Sequence, residues 1–247
     1  MITITIVAEK GGVAKTTTAQ ALIEELRNKG YKVLGIDLDQ QGNLSYSFDM
    51  QKAPLGICEA LESKATFKKA IYKDFLRASE EEAFSELNKK PLKALAEALE
   101  SVKALYDFCI IDTPPKLDIT LAKALVSANY VIIPTRGEAF SVKGVEKTLE
   151  TVEAIKEEIN PALEVAGLLL TFYNSKSSLN TQIRELLEKK AQRHNTRVFK
   201  ATIRRSIAIG KAQALQEPLN NYLKEAKAVA DYKDFVKELL RVIKKGA

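Results

Sequence analysis

Cysteine is scarce in this chain. Cys58 and Cys109 are the only two, too few for a disulfide framework or for a metal site built by one chain. Cys109 lies in the apolar run 108–111, where burial in a core is the expected role. No stretch reaches the roughly 18 uninterrupted apolar residues that a membrane-spanning helix needs. Residues 1–8 carry neither a basic n-region nor a small-residue cleavage site, so a soluble, cytoplasmic protein is expected. Pro/Gly/Ser-rich linkers, internal repeats and low-complexity tracts are also missing, which leaves one domain over residues 1–247 as the expectation. With 46% hydrophobic residues, a chain of this length can fill one sizeable core.

The net charge of +6 is unevenly spread. Residues 176–247 hold 17 Lys/Arg against 7 Asp/Glu, whereas residues 1–175 hold 21 against 25. The positive charge therefore belongs to the C-terminal third, where a phosphate-rich partner is one reading and a solvated surface is the other.

Alternation over 2–7 predicts a strand, and Ala19, Leu22, Ile23 and Leu26 share one face of a predicted helix over 16–29 that Gly30 stops. A second strand is predicted at 32–36. Further buried strands are legible at 108–111, 130–133 and 165–171, separated by helical patterns such as 143–159. This order predicts an α/β fold of three layers: a mostly parallel twisted sheet flanked by helices on both faces. Residues 79–105 read as a long surface helix interrupted near Pro91, and 231–245 as a final amphipathic helix.

Between the first strand and helix lies Glu9-Lys10-Gly11-Gly12-Val13-Ala14-Lys15-Thr16-Thr17, where backbone N–H groups and a helix N-terminus converge on an anion. Gly11 and Gly12 allow a backbone path closed to other residues. Lys15 can place a point charge on the β- and γ-phosphates of a nucleotide, and the Thr16 hydroxyl can ligate Mg²⁺. Glu9 and Ala14 occupy the two glycine positions of the ordinary P-loop pattern, so the loop is P-loop NTPase-like with a deviation.

A lysine just before the glycine pair makes residues 10–18 resemble the loop of the deviant Walker A, ParA-type ATPases. The segment Asp37-Leu38-Asp39-Gln40-Gln41-Gly42-Asn43 is similar to that family's switch I, and Cys109-Ile110-Ile111-Asp112-Thr113-Pro114-Pro115 to its Walker B and switch II segment. Ile133-Pro134-Thr135, Phe140-Ser141-Val142-Lys143-Gly144 and Leu170-Thr171-Phe172-Tyr173-Asn174 are weaker matches. The resemblance runs from about residue 2 to about residue 220. It implies ATP and Mg²⁺ as ligands, with nucleotide contacts from Lys10, Gly11, Gly12, Val13, Ala14, Lys15, Thr16, Thr17 and Asn174. Metal contacts are implied for Thr16, Asp37 and Asp112, with Asp112 acting through water. It further implies that Asp39 orients the attacking water, and that Lys10 reaches the partner's nucleotide in an ATP-bound homodimer.

The family includes partition ATPases, MinD-type division-site regulators and nitrogenase iron proteins. Two cysteines in unsuitable places exclude an iron protein. A MinD-type membrane helix has a counterpart in 235–245, although Phe235, Leu239 and Val242 at helical spacing fit a core-covering role better. The basic C-terminal third favours a partition ATPase, with nonspecific DNA and a centromere-binding protein as partners and the nucleoid as its place. The DNA contacts implied are Lys200, Arg204, Arg205, Lys211, Lys224 and Lys227. Arg204 stands where the family commonly has proline, and Ala208 where it has a second arginine. Lys10 begins the loop so near the N-terminus that no helix-turn-helix precedes it, and a small-type member with slow intrinsic ATPase activity is expected. The alternative is a MinD-like or other cargo-positioning ATPase that acts on membrane or protein partners without DNA. A small-molecule ligase of the dethiobiotin-synthetase kind is disfavoured by the 37–43 segment.

Overall fold

Strands buried on both faces are commonly written as apolar runs; the run at 108–111 lies at the centre of the sheet beside the alternating strand at 2–6, whose Thr3 and Thr5 are buried as well. The computed structural model describes residues 1–222 and 226–246. In its first half, β1 (Ile2–Ile6), α1 (Lys15–Asn28), β2 (Val33–Asp37), α2 (Asn43–Ser47), α3 (Ile57–Ala60), α4 (Lys64–Ala70) and β3 (Phe75–Leu76) follow in turn. Next come α5 (Glu81–Lys89), α6 (Ala94–Glu100), β4 (Phe108–Asp112), α7 (Ile119–Ser127), β5 (Tyr130–Arg136) and α8 (Ala139–Glu158). The chain ends with β6 (Glu164–Thr171), α9 (Ser178–Arg193), α10 (Ile207–Ala214), a 3₁₀ turn (Leu219–Tyr222) and α11 (Lys227–Gly246).

The described strands form one sheet in the order β3-β2-β4-β1-β5-β6, with every pairing parallel. The chain runs outward from β1 in one direction through β2 and in the other through β5. Strand order thus reverses beside β1, and the loops that follow β1, β2 and β4 border the crevice where open α/β sheets take their ligands.

Alternate residues of each strand serve different layers. Ile4 and Ile6 of β1 pack with Leu22, Ile23 and Leu26 of α1 and with Phe235 and Leu239 of α11. Thr5 points to the other side, where its hydroxyl donates to the Ala124 carbonyl of α7 at 3.4 Å. Leu34, Ile36, Cys109 and Ile111 lie on that second side over α3 to α6, and Val131, Ile133, Leu168 and Leu170 pack near α8 and α9. Cys109 is fully buried, as the sequence indicated.

Three expectations change. The two-residue strand β3, too short to show a period, extends the sheet at its β2 edge. The long surface helix over 79–105 is instead two short helices that help line the core, with Phe84, Leu87, Leu95 and Leu99 buried. Lys90, the residue before Pro91, is extended (φ −66°, ψ 151°), the conformation a following proline enforces. The last helix begins at Lys227, four residues earlier than its amphipathic pattern suggested. Its apolar stripe, Tyr232, Phe235, Val236, Leu239 and Ile243, is buried against the rest of the protein. No helix among the described residues is long and apolar enough to cross a membrane.

Candidate phosphate-binding site

The loop between β1 and α1 departs from ordinary backbone geometry at two residues. Gly12 has φ +70° and Ala14, the N-cap of α1, has φ 67° and ψ 35°. Glycine adopts that left-handed region at no steric cost, whereas a residue with a Cβ is strained there by about 1–2 kcal/mol. The loop is held from both sides. Thr18 donates to the Ala14 carbonyl through its amide at 2.9 Å and its hydroxyl at 2.7 Å. Thr171, at the end of β6, donates to the Val13 carbonyl at 3.1 Å. A strained conformation kept by surrounding contacts is typical of a ligand-binding backbone.

Around this loop lies a cavity of about 610 Å³ lined by Gly11, Gly12, Ala14, Lys15, Thr16 and Thr17, together with Asp39, Arg136, Phe172 and Gln213. Lys15 is buried, and burial lowers its pKa against the opposing pull of Asp112 and Asp39. The carboxylates sit at the ends of adjacent strands, Asp37 and Asp112 being register partners. Asp37 is fully satisfied by protein donors. Its oxygens accept from the Ser45 amide at 2.8 Å, the Ser45 hydroxyl at 2.7 Å and the Asp39 amide at 3.1 Å. Burial raises its pKa to about 6 despite those bonds. Asp39 caps the next turn by accepting from the Gln41 amide at 3.1 Å.

Asp112 differs. It has no solvent exposure, and neither of its oxygens closes a hydrogen bond. Burial and then the Asp37 charge hold its carboxyl well above the usual range, offset in part by the nearby Thr16 hydroxyl and Lys15 ammonium. A buried carboxylate without partners is costly. An oxygen-ligated divalent cation supplies what this position lacks, and Thr16 and Asp112 are the hard donors that Mg²⁺ takes. The residues present fit that ion.

A larger hollow of about 710 Å³ lies where β6 begins and α8 and α9 end. Its one histidine is already engaged: His194 lies 2.6 Å from Glu153 and 3.4 Å from Glu146. None of the residues lining it carries a buried side-chain polar atom without a partner, whereas Asp112 beside the phosphate loop carries two.

A family model described as an AAA domain matches residues 1–165. The sporulation initiation inhibitor protein Soj of Bacillus subtilis is 30% identical over 96% of this chain and 97% of its own length. The chromosome partitioning protein ParA of Myxococcus xanthus is 27% identical over 94% and 86%. The chain belongs to the ParA family of ATPases. Among solved structures, cobyrinic acid a,c-diamide synthase from Mycobacterium smegmatis, crystallised with ADP and magnesium, superposes with a TM-score of 0.80 at 28% identity, covering 100% of this chain and 97% of that one.

Within this ParA-family frame the remaining residues fall into three groups. Lys10 is half-exposed and bonds Glu138 Oε2 at 2.6 Å, in its own subunit, just before α8. Arg136 reaches the other Glu138 oxygen at 3.3 Å and lies 4.3 Å from the Phe172 ring centre. Asn174 does not line the phosphate-loop cavity. It lines an adjoining hollow of about 560 Å³ with Arg204 and Arg205, and Phe172 is the wall between the two.

The implied DNA contacts are not alike. Arg204 is engaged by Asp231 through bonds of 2.7 and 2.8 Å, which neutralises it in place. Lys200, Arg205, Lys211 and Lys227 are exposed and form no ion pair among the described residues. Lys211 lies 5.6 Å from the Tyr222 ring centre. Lys224 falls outside the described residues. Lys200 shares an open groove with Arg197, Lys237 and Arg241, and with the carboxylates of Asp234 and Glu238.

Sequence reasoning missed Arg136, Phe172 and Gln213 at the cavity. Arg136 and Phe172 had a usable signal, since they end or follow strands whose C-terminal ends face the crevice. Gln213 had none, because nothing local distinguishes it from a surface glutamine.

Proposed function

We propose that this protein binds ATP with Mg²⁺ at the phosphate loop and hydrolyses it slowly as a switch. In this reading the ATP state pairs two copies, the pair grips nonspecific duplex DNA, and a centromere-binding partner stimulates hydrolysis to release it. The observation that carries the reading is Asp112, fully buried with no hydrogen bond to either oxygen, next to Thr16 and Lys15, which line the glycine-loop cavity. The loop amides and Lys15 would hold the phosphates, while Thr16 and Asp112 would hold the ion, Asp112 through water. Bound Mg²⁺ would supply positive charge against the phosphate oxygens, the main requirement of phosphoryl transfer. Asp37 supports the metal shell from behind by fixing the turn that carries Asp39, and Asp39 orients the attacking water. Asn174 approaches the base from the adjoining hollow.

Pairing requires Lys10 to exchange Glu138 for phosphate across the interface. Both side chains are about half exposed, and exposed ion pairs are worth about 0–1 kcal/mol, so the exchange costs little. Lys200, Arg205, Lys211 and Lys227 supply a phosphate-directed surface. Arg204 contributes only after leaving Asp231. Nucleoid association follows from such a surface. The relatives named for chromosome partitioning and sporulation control support this reading. A lipid-positioning role has less support, because the apolar face of α11 is already buried.

The test is binding to random-sequence duplex DNA with ATP, ADP or no nucleotide, with salt titrated because phosphate contacts weaken steeply as it rises. ATP alone is expected to confer binding, Lys10→Ala to abolish it and Asp39→Ala to prolong it. An ATP-dependent dimer that ignores DNA at low salt would refute the DNA step and turn attention to lipid vesicles and protein cargo.

A further inference from the structure

Helix α10 contributes little to the core and much to its surroundings. Ile207 at its start is 89% exposed, and Ile209 and Ala212 are its only buried residues. What anchors its C-terminal turn is polar, and both anchors belong to segments facing the phosphate-loop cavity. Gln213 Nε2 donates to Thr17 Oγ1 at 3.2 Å and to Gln20 Oε1 at 3.1 Å, both on α1. From there Gln20 Nε2 donates to Glu24 Oε1 at 2.9 Å, and the other Glu24 oxygen accepts from the Leu219 amide at 2.8 Å. This chain, partly buried at Gln213 and buried from Gln20 onward, thus leaves the phosphate loop, passes along α1 and returns to the 3₁₀ turn after α10.

The second anchor is α2, which follows the Asp39 turn. Tyr46 donates through its hydroxyl to the Ala214 carbonyl at 3.3 Å, and Gln216 Nε2 donates to the Tyr46 carbonyl at 3.0 Å. Gln213, Ala214 and Tyr46 all line the cavity. At its other end α10 follows directly on Arg204 and Arg205, and Lys211 is part of it.

We infer that α10 is the element through which the phosphate loop and the Asp39 turn set the exposed basic surface, with Gln213 as the positioning residue that ties it to Thr17. The physical ground is the shared hydroxyl. Thr17 accepts from Gln213, which leaves its own proton to donate to a phosphate, and a hydrogen bond donated by a group strengthens the one it accepts. Occupancy of the loop therefore tightens the Gln213 contact, and any movement of α2 is passed on by Tyr46. The coupling is reciprocal, so whatever binds the α10 surface more tightly in the ATP state also tightens ATP. This inference rests on the proposal that ATP binds here.

The experiment is amide hydrogen exchange of the full chain, with and without saturating Mg²⁺ and a non-hydrolysable ATP analogue. In the unaltered protein the amides of 207–216 are expected to slow by about 10-fold when the analogue binds. In Gln213→Met, which keeps the volume and removes the donors, that difference is expected to shrink below about 2-fold while the amides at the start of α1 still become protected. A purely structural role would speed exchange in both states and leave the ratio unchanged. The inference is overturned if Gln213→Met slows as much as the unaltered protein, or if α10 stays indifferent while α1 responds. Should Gln213→Met fail to fold, Gln216→Met at the more exposed contact carries the same comparison, with a partial loss of the difference expected and an unchanged difference overturning the inference. Absence of protection in α1 of the unaltered protein would refute ATP binding itself, and the coupling with it.

Discussion

Asp37 and Asp112 face each other as register partners at the ends of adjacent strands, equally buried and opposite in their surroundings. The turn after β2 folds back on Asp37. Ser45 contributes its amide and hydroxyl, and the same Ser45 oxygen accepts the Ala78 amide at 2.9 Å. The end of β4 gives Asp112 no such bond. Two identical side chains in equivalent register therefore have different tasks. One builds the turn that carries Asp39, and the other is left for an ion.

The comparison breaks most visibly at Asp37. Asp37→Ala strands the Ser45 and Asp39 amides, and each buried unsatisfied donor costs about 1–3 kcal/mol. A loss of about 3 kcal/mol is expected in urea unfolding without nucleotide. If stability stays within about 1 kcal/mol of the unaltered protein, the turn does not depend on Asp37.

Glu24 sharpens the comparison, as a buried carboxylate with an intermediate set of partners. Burial, assisted by the Glu25 charge, raises its pKa from 4.5 to about 7 against the bonds from Gln20, Leu219 and Asn220. A carboxyl that holds its proton more tightly when folded makes stability fall as pH rises from about 4.5 to about 7, with no further change above. Glu24→Gln is expected to remove that fall and to raise stability at pH 8 by about 2 kcal/mol. An unchanged pH profile would show that Glu24 titrates normally.

Asp112→Asn should move stability the other way from Asp37→Ala. It replaces a carboxyl that burial and the Asp37 charge make costly to ionise with a neutral side chain of the same shape, so the nucleotide-free protein is expected to gain about 1 kcal/mol. A loss as large as that of Asp37→Ala would mean Asp112 is structural. The smallest effect is expected at the loop itself. Ala14→Gly relieves the left-handed strain but loosens the unfolded chain, for a net gain of about 0.5 kcal/mol by thermal unfolding. A clear loss would show that the Ala14 methyl group is needed for packing.

The strands β4, β5 and β6 were legible because burial on both faces favours apolar runs, and β1 because its isoleucines and threonines alternate. The loop was legible because phosphate binding demands glycines and lysine at fixed places next to a helix start. What escaped depends on distant partners. Phe75 and Leu76 form a strand only because Gly35 and Ile36 lie beside them. The helix over 79–105 was placed on the surface because its charges are many, yet its apolar side closes the core. Nothing local separates Asp37 from Asp112, since Ser45 decides the matter eight residues on. Gln213 matters only because α10 returns to Thr17.

The most direct measurement is ATP affinity by calorimetry, with and without Mg²⁺, for the unaltered protein and Asp112→Asn. Mg²⁺ is expected to strengthen ATP binding by at least about 10-fold in the unaltered protein, or about 1.4 kcal/mol, and to leave Asp112→Asn unchanged. An equal gain from Mg²⁺ in both proteins would contradict the assignment of Asp112 to the ion.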